Sequence, residues 1–210
     1  MKPKLFIIGS SHANRIFAAC EKNSEITKKF ELKNLSIPGA TFDKIRKNFE
    51  KIELTSPEDV VIIQCFGNDL LKKHIKIERF PKKIIHLTKF EPVDLKLIEQ
   101  VFLELQEIVN KLECNFLVVD IPFRHLHCCV HHRFSGLIAF FSNANKLLKK
   151  IFKEKVIDHR RLLGVSRNRI KMAKFYQDTL CDTVHFYPKY YAKMAETLIS
   201  IVEVGIRPQA

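Results

Sequence analysis

Short β-rich runs recur along the chain, and each gives way to a polar or glycine-containing segment. Several runs, such as KLFIIG and VVIIQCF, are apolar at nearly every position rather than at alternate ones. Unbroken apolar runs are typical of parallel strands whose two faces are both covered by helices. The pattern predicts four strands and a weaker fifth, at residues 4–9, 30–37, 60–66, 115–121 and 155–158.

Five helix-like stretches lie between and after the strands, at residues 14–20, 42–52, 93–112, 138–152 and 191–204. In residues 93–112, apolar residues recur at three- and four-residue spacing, which indicates an amphipathic helix. Strands that alternate with helices favour an α/β fold. We therefore expect a three-layer α/β/α sandwich with a mostly parallel five-stranded sheet.

Two segments fit this alternation poorly. Residues 71–90 hold seven Lys or Arg against one Glu and are interpreted as an insertion after the third strand. Residues 122–135 form a histidine-rich loop after the fourth strand. Because the sequence contains no internal repeat and no Gly/Ser linker, we expect a single domain over residues 1–210.

The composition agrees with a globular domain, since 46% of the 210 residues are hydrophobic and 28% are charged. No apolar run approaches the roughly 20 residues that span a bilayer, and the opening MKPKLFIIGSSH lacks the apolar core of a signal peptide. We expect a cytoplasmic or nuclear protein whose six cysteines are reduced thiols.

Basic residues dominate the charge balance. Lys and Arg number 36 against 23 Asp and Glu, for a formal net charge of +13, and they concentrate at residues 71–90 and 146–174. Such clusters either keep the surface solvated or attract nucleic acid or an anionic membrane surface. No recognition-helix, zinc-finger or RNP pattern accompanies them, so sequence-specific readout is not expected.

The histidine-rich loop raises the question of a metal site. Imidazole and thiolate are zinc ligands, and six of them fall within eight residues: His125, His127, Cys128, Cys129, His131 and His132. Six ligands packed so closely cannot all face one ion, and no second cluster supports them. We favour an exposed loop at the border of an active site and expect no metal.

Candidate chemistry lies at the ends of the predicted strands. Gly9, Gly39 and Gly67 each fall at or near a strand end, and the polar residues 10–12 and 68–69 stand beside them. In open α/β sheets, ligands bind at the carboxyl ends of the strands. Such turns also use Gly, Ser and Asn for geometry alone.

A pair near the C-terminus favours the chemical interpretation. Asp182 precedes His185 by three residues, ahead of the last predicted helix. A carboxylate at this spacing can accept a hydrogen bond from imidazole Nδ1, which leaves Nε2 to take a proton from a serine hydroxyl.

Together these segments resemble the SGNH hydrolases, also called the GDSL lipase/esterase family. The matching segments are LFIIGSSHANRI, LSIPGATF, CFGNDL and CDTVHF, in the family's order and spacing. The resemblance implies a flavodoxin-like α/β fold, no cofactor, and a nucleophile at Ser11 with His185 as base and Asp182 as its partner. It also implies an oxyanion hole formed by Ser11, Gly39 and Asn68.

Two positions depart from the family pattern. Ser10 stands where many members have Asp, and Phe66 stands where the third segment usually has Gly. Neither change removes a proton-transfer residue. We expect the substrate to contact Ser10, His12, Phe66 and Tyr187.

The sequence therefore predicts a serine esterase that acts on an acetyl or lipid acyl ester. Two alternatives remain: an SGNH-fold module without activity that binds nucleic acid or other anionic partners through a basic face, and an acyltransferase with the same triad. Some retrotransposon proteins join an SGNH-type esterase domain to RNA-binding segments, a setting that a basic domain of this kind would suit.

Overall fold

Seven strands and seven α-helices are present in the part of the chain that the computed structural model describes, residues 2–54, 56–80, 83–112, 114–122, 134–163 and 185–206. In chain order they are β1 (Lys4–Gly9), α1 (Ser11–Glu21), α2 (Ser24–Lys29), β2 (Glu31–Asn34), α3 (Phe42–Arg46), β3 (Val60–Gln64), β4 (Leu71–Phe80), β5 (Lys83–Pro92), α4 (Leu95–Lys111), β6 (Asn115–Val119), α5 (Phe134–Phe152), β7 (Val156–Ile157), α6 (His159–Leu162) and α7 (Pro188–Ile206).

Five of the strands form one parallel sheet in the order β2-β1-β3-β6-β7. This order and direction confirm the predicted α/β fold with a parallel five-stranded sheet. Strand β1 lies between β2 and β3, with Gly9 opposite Gln64 at its carboxyl end. The loops that leave β1 and β3 therefore start side by side at the same edge of the sheet.

Helices cover both faces of the sheet and complete the three predicted layers. On one face, Leu5 and Ile7 of β1 pack in a cluster with buried residues of α1, α2, α6 and α7. On the other face, Phe6 and Ile8 pack with α3, α4 and α5. The consecutive apolar residues of β1 are thus explained by burial on both sides.

The first two helices differ from the prediction. Helix α1 begins at Ser11, three residues earlier than predicted, so the serine lies in its first turn. Helix α2 was not predicted; it begins after Asn23, whose side chain accepts hydrogen bonds from the backbone N–H groups of Glu25 and Ile26. A helix of six residues is too short to show a periodic pattern.

The basic segment 71–90 forms most of an antiparallel hairpin. Strands β4 and β5 pair along their whole length, from Leu71 opposite Pro92 to Phe80 opposite Lys83, in a sheet of their own. The backbone N–H of Val93 donates to the carbonyl of Leu70 at 3.0 Å and closes the base of the hairpin. The interpretation as an insertion agrees with this separate sheet, although no strands were predicted there.

None of the helices in the described part of the chain has the length and apolar character needed to cross a bilayer. Cys20, Cys65 and Cys114 are free thiols; the other three cysteines lie outside the described residues. The cytoplasmic or nuclear location stays a prediction.

Candidate active site

The predicted nucleophile lies at the amino end of a helix. Ser11 is the first residue of α1, directly after the extended cap residue Ser10. The Ser10 N–H donates to the carbonyl of Gln64 at 3.0 Å, which fixes this turn to the end of β3. The unpaired N–H groups of a helix amino end carry a partial positive charge that stabilises negative charge beside them.

A histidine distant in sequence reaches this serine. Nε2 of His185 lies 2.7 Å from Oγ of Ser11, across 174 positions of the chain. Both side chains are half-buried. The two segments meet because α1 and α7 pack in the same core cluster on one face of the sheet. Serine and imidazole in hydrogen-bonding contact are the pairing that nucleophilic catalysis requires.

The second predicted segment supplies an exposed left-handed turn. Gly39 has φ +74°, a conformation that residues with a Cβ adopt at a cost, and a Cβ added there would meet no atom within 4 Å. The turn is held next to the first loop, because the N–H of Ile37 donates to the carbonyl of Gly9 at 2.8 Å.

The third segment is bound to the second through two adjacent side chains. Nδ2 of Asn68 donates to the carbonyl of Ala40 at 2.9 Å, and Oδ1 of Asp69 accepts from the N–H of Phe42 at 2.8 Å. Burial raises the pKa of the Asp69 carboxyl, while the bond from Phe42 opposes that rise. The three loops predicted to form the site are therefore linked by hydrogen bonds at one edge of the sheet.

Phe66 is not at the surface of this site. Its ring is fully buried and packs against Phe42 at 5.5 Å and Phe102 at 4.7 Å between centroids. Its φ of +73° explains why the family pattern has glycine here. A non-glycine residue in this region costs about 1–2 kcal/mol, and burial of the ring offsets that cost. The expected substrate contact through Phe66 is corrected to a core position.

The other three predicted substrate contacts differ in their accessibility. Ser10 and His12 are only 3% and 7% exposed, so both side chains lie in the interior rather than at a surface that a substrate could reach. Tyr187 is 38% exposed, and its ring packs against that of Tyr190. Of the four, only Tyr187 therefore remains accessible to a ligand.

Two sets of predicted residues lie outside the described residues. Asp182 is one of them, so its predicted bond to His185 stays a prediction. The histidine-rich cluster from His125 to His132 is the other, and the interpretation of that segment as an exposed loop stays a prediction as well.

The fold is similar to that of several solved structures of other proteins. The chain is similar to an acetyl xylan esterase, AlAXEase, with 18% identity, a TM-score of 0.61, and coverage of 95% of this chain and 99% of that one. It is equally similar to a lipase/acylhydrolase from Enterococcus faecalis, with 14% identity, a TM-score of 0.61 and full coverage of both chains. A GDSL-like lipase from Bacteroides thetaiotaomicron matches with 11% identity, a TM-score of 0.62, and coverage of 97% and 89%.

The chain has the SGNH hydrolase fold. The likeness lies in structure, because no family model matches the sequence and no curated protein matches it significantly. Identities of 11–18% leave the activity of this chain to be argued from its own residues.

Sequence reasoning missed a second carboxylate–imidazole pair in this SGNH fold. Asp120 follows β6 and His159 begins α6; Oδ1 of Asp120 lies 2.5 Å from Nδ1 of His159 and accepts from its backbone N–H at 2.6 Å. Both side chains are almost completely buried. The position of Asp120 at a strand end was the one available signal, and the burial of the pair points to a structural role.

This pair also belongs to the only group of potential metal ligands in the described ranges, Asp120, Asp158 and His159. The carboxylate of Asp158 accepts hydrogen bonds from the backbone and guanidinium of Arg160. Since Oδ1 of Asp120 is likewise bonded to His159, protein donors already contact both carboxylates of this group.

Proposed function

We propose that this protein is a serine esterase that hydrolyses a carboxylic ester. The observation that carries the proposal is the 2.7 Å contact between Ser11 Oγ and His185 Nε2 at the carboxyl edge of an SGNH-fold sheet. A nucleophile and base within hydrogen-bonding reach are what distinguish a reactive serine from the many serines that cap helices.

In the proposed reaction, Nε2 of His185 takes the hydroxyl proton as Ser11 Oγ forms a bond to the ester carbonyl carbon. The carbonyl oxygen becomes negatively charged in the tetrahedral intermediate. When the C–O bond to the alcohol breaks, His185 returns the proton to the departing oxygen. Water then repeats the sequence on the acyl-serine, releasing the carboxylic acid and the free Ser11 hydroxyl.

We assign the oxyanion hole to the N–H groups of Ser11 and Gly39 and the side-chain amide of Asn68. The hydrogen bond from Asn68 to Ala40 supports this assignment, because it holds the amide beside the turn that carries Gly39. Each such donor is typically worth about 3 kcal/mol of transition-state stabilisation.

Asp182 is the proposed third member of the triad. Its place three residues before His185 suits a carboxylate that accepts from Nδ1 and stabilises the imidazolium formed during attack. Removing it should cost less activity than removing His185, since Nε2 can still accept a proton from a less well oriented ring.

We propose an acetyl or longer acyl ester as substrate, in keeping with the esterase and lipase names of the similar structures. An acyltransferase would use the same residues and pass the acyl group to an alcohol instead of water. Product analysis separates the two reactions: the esterase releases free acid even when an alcohol acceptor is supplied.

The test is labelling by a fluorophosphonate probe together with turnover of short nitrophenyl esters. Ser11→Ala should abolish both, while its free energy of unfolding stays within about 1 kcal/mol of wild type. Ser10→Ala is the matched control: it removes the same group one residue away and should reduce activity far less. Undiminished labelling and turnover in Ser11→Ala would contradict the proposal, and the reverse ranking would assign the nucleophile to Ser10.

A second candidate function concerns the β4–β5 hairpin. Its two paired strands carry six Lys or Arg residues against two Glu. Pairing in a separate sheet brings this charge together on one ribbon, which would suit an anionic partner such as nucleic acid. The activity of the serine and this binding are compatible with one another.

Salt dependence tests this second candidate. Binding of single-stranded RNA through the hairpin should fall log-linearly with salt concentration and show little preference for sequence. Replacing Lys72, Lys73 and Lys76 by Gln should weaken it and reduce the slope. If no RNA binds at low ionic strength, the basic residues of the β4–β5 hairpin serve only to keep the surface solvated.

A further inference from the structure

A buried hydroxyl joins the two chain segments that carry Ser11 and His185. The Tyr191 hydroxyl lies 2.8 Å from Nδ1 of His12 and accepts a hydrogen bond from the backbone N–H of Phe186 at 3.3 Å. His12 belongs to α1 and Tyr191 to α7, and Phe186 lies just before α7. All three side chains are in the interior, with exposures of 7%, 2% and 0%.

The partners of this hydroxyl are the direct neighbours of the reacting pair. His12 follows Ser11 in the chain, and Phe186 follows His185. The rings of His12 and His185 also lie beside one another, with 5.1 Å between centroids. The Tyr191 hydroxyl therefore bridges the nucleophile segment and the base segment directly behind the contact between Ser11 and His185.

We propose that His12 and Tyr191 are positioning residues that hold His185 in hydrogen-bonding contact with Ser11. The inference rests on the proposed esterase function. His12 was expected to contact substrate; in this proposal its imidazole instead affects the reaction indirectly, by holding its neighbours in position.

Physical reasons favour a positioning role over simple packing. Burying an imidazole and a hydroxyl costs free energy unless both are hydrogen-bonded, a requirement that an apolar pair filling the same space would not have. The ring of Phe186, in contact with His12 at 5.4 Å and Tyr191 at 5.7 Å, already supplies the apolar packing. A displacement of about 1 Å in a reacting group can lower a rate by about 100-fold, so a bridge that fixes His185 has a direct effect on turnover.

The first experiment removes a single oxygen atom. Tyr191→Phe keeps the ring and removes the bridge, and Tyr190→Phe makes the same change at the preceding position of α7. We expect kcat for a nitrophenyl ester to fall by about 10- to 100-fold in Tyr191→Phe, with KM within about twofold of wild type. Fluorophosphonate labelling should slow in parallel, and Tyr190→Phe should retain both rates.

A second pair of variants keeps the inference testable if Tyr191→Phe does not fold. The side-chain amide of asparagine can reach the position of imidazole Nδ1, so His12→Asn should retain the bond to Tyr191, whereas His12→Ala should lose it. We expect His12→Asn to keep most of the kcat that His12→Ala loses. A packing role alone would lower the stability of both variants and would not restore kcat through asparagine.

The outcomes separate this inference from the proposed function. If Ser11→Ala abolishes turnover while Tyr191→Phe and His12→Ala keep the wild-type kcat, the positioning role is wrong and the esterase stands. If Ser11→Ala keeps full turnover, the esterase proposal fails and the positioning role fails with it.

Discussion

Replacing Gly39 by alanine should lower the free energy of unfolding by about 1–2 kcal/mol. The cost comes from the backbone alone: φ is +74°, where a Cβ is disfavoured by that amount, and the added Cβ meets no atom within 4 Å. For a chain of this size, each kcal/mol lowers Tm by about 2–4 °C, so we expect a decrease of about 2–8 °C. Ester turnover should fall as well, because relaxing φ turns the Gly39 N–H that we assign to the oxyanion hole.

Gly67 provides the matched control in the neighbouring loop. A Cβ there also meets nothing within 4 Å, but φ is outside the left-handed region. Gly67→Ala should therefore leave stability unchanged or raise it by up to about 1 kcal/mol through the reduced entropy of the unfolded chain. At the other extreme, the Cβ of Gly9→Ala would lie 1.9 Å from the carbonyl oxygen of Gln64, so this variant should not fold in the native register.

Urea denaturation followed by far-UV circular dichroism measures these differences, with turnover recorded at 25 °C where all soluble variants are folded. Equal m-values for wild type, Gly39→Ala and Gly67→Ala would show that the comparison concerns the same unfolding transition. If Gly39→Ala and Gly67→Ala unfold at the same urea concentration, the argument from backbone conformation is wrong. If Gly39→Ala is destabilised as expected but retains wild-type turnover, the assignment of its N–H to the oxyanion hole is wrong.

Three further predictions concern the framework around the site. Asn145→Ala should lower the free energy of unfolding, measured by urea denaturation, by about 2–4 kcal/mol, because the Asn145 side chain bonds both the N–H and the carbonyl of buried Ile121 at 2.9 Å. A decrease of less than about 0.5 kcal/mol would show that these two bonds do not stabilise the fold as argued. Burial raises the pKa of Cys20 to about 12 and that of Cys65 well above its usual value. Both thiols should therefore resist a disulfide reagent at pH 8 until denaturant is added, and rapid modification of the native protein would contradict their burial. Burial alone would raise the pKa of the Asp158 carboxyl, but the hydrogen bonds from Arg160 outweigh it and hold that pKa below its usual value. The contribution of this carboxylate to stability is therefore present above the pKa of the unfolded state and is lost as pH falls below it. Asp158→Asn should diminish that loss in thermal melts between about pH 5 and pH 2.

The sequence was sufficient for those parts of the fold in which burial itself leaves a pattern. The LFII run of β1 is apolar at every position because its residues face two cores, and this made the parallel sheet predictable. Ser11 and Gly39 could be placed because strand ends and left-handed turns select small residues. The contact between Ser11 and His185 needed the family resemblance, since no local pattern relates positions 174 residues apart.

The remaining features depend on contacts that the sequence does not display. The alternation of apolar and charged residues in β4 covers only the four residues IKIE and is flanked by lysine-rich sequence, so its pairing with β5 was not predicted. The side chain of His12 was expected to contact substrate because it lies beside Gly9 at the end of β1, but in the first turn of a helix adjacent residues point in different directions. Its orientation toward Tyr191 is decided by the packing of α1 against α7.

The separation of Ser11 and His185 along the chain has a consequence during synthesis. A ribosome adding 5–20 residues per second needs roughly 10–35 s to pass from one to the other, and α7 must then emerge and pack before Nε2 can reach Oγ. Throughout that interval Ser11 lacks its proposed base, so under the proposed function we expect no ester turnover by the nascent chain. The proposed active site is thus completed only after α7 has been synthesised, and the appearance of ester turnover in a timed cell-free synthesis would mark the docking of α7 against α1.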